Sequence, residues 1–119
     1  MHLINLIKPK VDNNEYKFIR LDNKLDVLMI HDKDTDLSAA AMSVGVGFYN
    51  DPIDTQGLAH FLEHMLFMGT MQHKQENFFH QFINESGGLT NAHTMEESTT
   101  FYYQVFNERF KESLEIFSE

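Results

Sequence analysis

Apolar and polar positions follow two different periods along this chain, and the change of period locates its elements. Glu15 to Leu21 and Leu25 to His31 read as two strands, and Asp22-Asn23-Lys24 between them predicts a hairpin turn. Lys33 to Asp36 is a charged loop. After it, Ala40, Met42, Val44, Val46 and Phe48 alternate with the smaller Ala39, Ala41, Ser43, Gly45 and Gly47. A period of two over that length predicts a strand whose larger face enters the core. Its small face would let another element come close, and the first helix is expected nearby.

Asp51-Pro52 turns the chain, and a helix is expected over about residues 56–69, with Asp54 or Thr55 as its cap and Gly69 as its end. A second helix is predicted from Gln75 to Ser86, with Phe79, Phe82 and Ile83 at core spacing and Gly87-Gly88 as the stop. Thr99 to Phe106 alternates again and is rich in aromatic and β-branched residues, so it reads as a strand. A last helix carries Phe110, Leu114 and Phe117 as an apolar stripe, with nothing beyond Glu119 to cover it. Strands followed by helices through short connections predict an α+β fold, a mixed or antiparallel sheet packed against helices, in one domain over residues 1–119.

Chemistry concentrates in the first helix. Leu58 to Met68 reads Leu-Ala-His-Phe-Leu-Glu-His-Met-Leu-Phe-Met, whose polar side chains are His60, Glu63 and His64 alone. At about 100° per residue, His64 lies roughly 40° from His60 and Glu63 roughly 60° to the other side, so the three share one sector. Burying two imidazoles and a carboxylate without partners is costly, whereas one divalent cation satisfies them together, so the motif reads as a zinc site in a helix that otherwise reads as core. Met65 and Met68 read as part of that core.

His60-x-x-Glu63-His64 is the inverted order of the His-Glu-x-x-His zinc signature. Together with its flanks, Gly57 to Thr70, it resembles the motif helix of the pitrilysin and insulysin family of inverted zinc peptidases. The resemblance continues through Asn91-Ala92, Thr94, Glu97, Thr99 and Tyr102-Tyr103, which look like the family's active-site edge strand. It also takes in Leu21 to Lys24 with Val27 to Ile30, similar to the first hairpin, and Asp51-Pro52, similar to the turn before the helix. The resemblance implies that His60 and His64 ligate Zn²⁺ and that Glu63 takes a proton from the attacking water and passes it to the leaving amine. It implies too that Asn91 and Ala92 bind the peptide substrate, received as an added strand. Without the resemblance, Asn91 after Gly87-Gly88 reads as a turn residue.

The same resemblance implies a third ligand, a glutamate on a later helix, which the chain ends before reaching; none of Glu85, Glu96, Glu97, Glu108, Glu112, Glu115 and Glu119 matches it. The expectation is therefore an incomplete amino-terminal domain of an insulysin-type peptidase half, a zinc metalloendopeptidase fragment with little activity alone. A truncated gene model is the preferred explanation. A split protein completed by the rest of the peptidase or a homologous half, and a degenerate remnant, are the others. The alternative function is a non-catalytic, peptide-binding half.

Composition narrows the partners. Eleven Phe, four Tyr and 42 % hydrophobic residues suffice for a core, and a net charge of −9 argues against a nucleic-acid partner, which Lys and Arg would have to hold. Absence of cysteine leaves imidazole and carboxylate as the ligands and suits the cytoplasm. Met1 to Lys10 has neither the charge pattern of a signal peptide nor the apolar length of a membrane span. His31, His73, His80 and His93 lack partners at metal-binding spacing and read as surface or packing residues, and His2 as a disordered one.

Overall fold

The computed structural model describes residues 7–119, so His2 and the start of the amino-terminal segment lie outside the described residues. The chain gathers into two compact units, one ending at Thr35 and one running from Asp36 to Glu119, divided within the charged loop. The first unit is the expected hairpin: β1 (Glu15–Arg20) pairs antiparallel with β2 (Asp26–His31), Glu15 facing His31 and Arg20 facing Asp26. Its turn closes through Leu21 N–H to the Leu25 carbonyl and Lys24 N–H to the Leu21 carbonyl, both 2.9 Å, with Lys24 left-handed at φ 70°. The Arg20 guanidinium grips both Asp26 oxygens at 2.5 and 2.6 Å across the first pair of the ladder.

The second unit is a three-stranded antiparallel sheet with three helices. Strand β3 (Leu37–Val44), β4 (Leu89–Thr94) and β5 (Thr99–Phe106) lie in the order β3-β5-β4; the helices are α1 (Leu58–Leu66), α2 (Phe78–Glu85) and α3 (Phe110–Phe117). The α+β class with an antiparallel sheet is as expected. The register sets Ala40 and Thr90 opposite Tyr103, Met42 and Ala92 opposite Phe101, and Thr94 opposite Thr99, so these residues share one face. The core forms on that face: Tyr103 and Val105 of β5 are buried against Phe82 and Ile83 of α2 and Ile116 of α3, with Phe79, Phe110 and Phe117 packed around them. Tyr103 brings its hydroxyl into the core, and burial pushes that phenol's pKa up, with the nearby Ser113 hydroxyl offsetting part of the rise.

Helix α2 is shorter than its expected span, and its end is well built. Gly88 N–H reaches the Ile83 carbonyl at 2.9 Å and Gly87 N–H the Asn84 carbonyl at 3.1 Å, a Schellman closure with Gly87 at φ 67°. Three expectations need correction. Strand β3 stops at Val44 because Val46 N–H turns back onto the Val44 carbonyl at 2.8 Å, which leaves Val46 and Phe48 outside the strand and exposed. On α3 the inward face is Ser113 and Ile116 between Phe110 and Phe117, while Leu114 lies 41 % exposed; 114 falls roughly 100° from the centre of that face. Most consequentially, α1 is not a core helix. Glu63 is its one buried residue, and Leu58, Phe61, Leu62, Met65 and Leu66 are all exposed, as is Met68 just beyond it.

Candidate metal centre and peptide-binding edge

The position of α1 is set at its start by Asp51, not by Asp54 or Thr55. The two Asp51 oxygens accept Gly57 N–H at 2.7 Å and Ala59 N–H at 2.9 Å, neutralising donors that a helix start leaves open, and place a negative charge at the positive end of the helix. Gly57 takes φ 91°, a conformation that favours glycine, which lets the chain swing from the Pro52 turn into the helix. The helix spans residues 58–66, inside the expected 56–69, and Gly69 at φ 100° follows its last turn.

One turn apart on α1, His60 and His64 bring their Nε2 atoms to 3.0 Å, with ring centroids 4.7 Å apart. Two imidazole nitrogens hold that distance by sharing a proton or a cation. Two Zn–N bonds of about 2.0–2.1 Å at a near-tetrahedral angle set the nitrogens about 3.3 Å apart, so the pair fits a zinc ion after a shift of a few tenths of an ångström. Both histidines are exposed, and the Phe48 ring stands edge-on to His60 at 6.3 Å. Glu63 lies on the buried side of the helix. It is 7 % exposed, and its Oε2 accepts the Thr94 hydroxyl of β4 at 2.5 Å. Among the described residues no group of three His, Cys, Asp or Glu side chains is arranged to hold a metal.

Strand β4 is an edge: β5 flanks it on one side, and among the described residues no strand pairs with the other. Ala92 shares the helix-covered face with Thr94. Asn91 alternates to the opposite face, opposite Tyr102, so its side chain is not brought beside Glu63. Asn91 is no turn residue. Its Oδ1 instead accepts the Ala92 N–H of its own strand at 2.9 Å.

Residues 26–119 match the model of the family described as Insulinase (Peptidase family M16). This chain belongs to the insulinase family of peptidases. Among similar proteins of the family, it is 46 % identical to insulin-degrading enzyme-like 1, peroxisomal, of Arabidopsis thaliana over 98 % of its own length and 12 % of the relative's. It is 40 % identical to the insulin-degrading enzyme of Bos taurus over 97 % of itself and 11 % of that protein. The crystal structure of pitrilysin superposes with a TM-score of 0.90 at 37 % identity, covering 93 % of this chain and 12 % of that one. A protease from Helicobacter pylori gives 0.80 at 28 %, covering 88 % and 25 %. The chain thus spans about an eighth of the length of the insulinase relatives it matches, 12 % of the first of them.

Other histidines of this insulinase chain have packing partners. His73 stacks on Phe78 at 4.1 Å and approaches Glu119 at 3.0 Å, His80 lies 4.7 Å from Phe67, and His93 lies 6.2 Å from Tyr102. No described helix is long and apolar enough to cross a membrane. Sequence reasoning assigned no role to Thr94. Counting by twos from Ala92 puts it on the helix-covered face, which was the signal available.

Proposed function

We propose that this chain carries the motif-bearing amino-terminal part of a zinc metalloendopeptidase, with His60 and His64 as metal ligands, Glu63 as general base and the β4 edge at Asn91-Ala92 as the peptide-docking strand. The observation that carries this reading is the 3.0 Å approach of the two Nε2 atoms one turn from a buried carboxylate on the same helix. A bound zinc ion would supply Lewis acidity, which acidifies water and polarises a peptide carbonyl. Glu63 accepts the proton of the attacking water and returns it to the leaving amine. The β4 backbone aligns an extended peptide by added-strand hydrogen bonds. A relative from Schizosaccharomyces pombe, 36 % identical, is named a putative zinc protease.

Two imidazoles are one ligand short of the usual three, so we infer that the missing one comes from the rest of a peptidase chain or from a homologous half, and that this chain alone turns peptides over slowly. The same shortfall supports the second reading, a non-catalytic half that binds peptide. The cytoplasm is the compartment we propose, on the absence of cysteine; one plant relative is named peroxisomal. Metal analysis of the zinc-equilibrated chain tests the site: about one zinc per chain, easily stripped by chelator, retained in Glu63→Gln and lost in His60→Ala. Equal uptake by His60→Ala would discard the site. With a quenched peptide, turnover near background is expected; robust turnover abolished by Glu63→Gln would show that two histidines suffice.

A further inference from the structure

The exposed histidines and the buried acid of α1 pose a question: what holds the carboxylate. A carboxylate taken out of water needs donors, and the single hydrogen bond to Glu63 among the described residues comes from Thr94. We infer that Thr94 is a positioning residue for Glu63, its hydroxyl fixing Oε2 so that Oε1 is the oxygen presented for proton transfer. This rests on the reading of Glu63 as general base.

The neighbouring hydroxyls support the assignment. A threonine hydroxyl has one proton, and Thr94 gives it to Glu63. Thr99, buried directly opposite Thr94 on β5, spends its own proton on the Val46 carbonyl at 2.9 Å, leaving its oxygen 3.4 Å from that of Thr94. The two threonines thus form a polar floor under α1, anchored to the segment after β3. Glu63 keeps 7 % of its surface exposed, and among the described residues its carboxylate is bonded through Oε2 alone.

Two substitutions separate this role from packing. Thr94→Val keeps the shape and removes the hydroxyl; Thr94→Ser keeps the hydroxyl and removes the methyl. Crystal structures of the whole chain should show the Glu63 carboxylate in place in Thr94→Ser and rotated away in Thr94→Val. In the zinc-loaded chain, zinc content should be unchanged in both variants, and the slow residual turnover should fall about tenfold in Thr94→Val and stay within about twofold in Thr94→Ser, as expected for loss of one hydrogen bond. An unmoved carboxylate in Thr94→Val, or the reverse order of damage, overturns the inference. Where the wild-type chain binds zinc and turns over at background, as a chain one ligand short should, the two crystal structures decide whether Thr94 holds Glu63; failure of His60→Ala to lower zinc uptake would overturn the metal reading separately.

Discussion

Helices α1 and α2 lie in the same unit and are nearly equal in length, nine and eight residues, yet they are held by different forces. Helix α2 is fastened by burial: Ile83 is fully inaccessible and Phe82 nearly so, in contact with Tyr103, Val105 and Ile116. Helix α1 leaves Phe61 62 % and Leu62 54 % exposed, and is fastened by polar bonds, Asp51 at its start and Thr94 at Glu63. The contrast teaches that an apolar sequence at helical spacing does not say which residues this unit buries. In α1 the inward place goes to the acid.

The largest test of that contrast compares Ile83→Ala with Leu62→Ala. Removing Ile83 should cost about 2–5 kcal/mol of stability in a denaturant titration, and removing the half-exposed Leu62 about 1 kcal/mol or less. Comparable losses would mean that α1 is packed as α2 is. Next in size, Asp51→Ala removes the acceptor of two helix-start donors and should cost about 1 kcal/mol, with amide exchange accelerating at Gly57 and Ala59 before anywhere in α2.

The smallest effect concerns the tie between the loop after α1 and the end of α3. Glu119 Oε2 accepts the Thr70 hydroxyl and lies 3.0 Å from His73 Nδ1, and these contacts, Thr70 first, hold its carboxyl below the usual value. A lowered folded-state pKa stabilises above the unfolded value and is lost as pH falls through the folded one. Exchange protection of the His73 amide, which donates to Thr70 Oγ1 at 2.9 Å, should therefore persist at neutral pH and fade as the solution is acidified below about pH 4, the ordinary carboxylate range. Protection that ignores acid would separate the two regions.

Periodicity and turn chemistry make much of the fold legible in the sequence. Thr99–Phe106 is a strand over the expected span, the Asp22-Asn23-Lys24 turn closes the hairpin, and Gly87-Gly88 ends α2. These are local rules, and they hold where local forces decide. Burial is a tertiary property and reads less well. Leu114 sits at helical spacing from Phe110, but Ser113 takes the interior place, fully buried with its hydroxyl donating to the Phe110 carbonyl at 2.9 Å. At the candidate site, the one-turn spacing of His60 and His64 is legible because it follows from helix geometry alone. The Thr94 bond to Glu63 is not, since it joins residues 31 apart in sequence and depends on which face of β4 meets α1.

Gly47 fits beneath the turn that joins β4 to β5 so closely that a methyl carbon there would come within 2.1 Å of the Met95 carbonyl oxygen. The neighbouring amides of Phe48 and Tyr49 bond to the carbonyls of Met95 and Glu96 at 3.0 and 2.9 Å, and Phe48 meets His60 edge-on. The far end of the candidate docking strand is thereby strapped, through one short piece of main chain, to an aromatic ring that touches a candidate ligand. Whatever shifts that turn shifts the ring beside His60 as well.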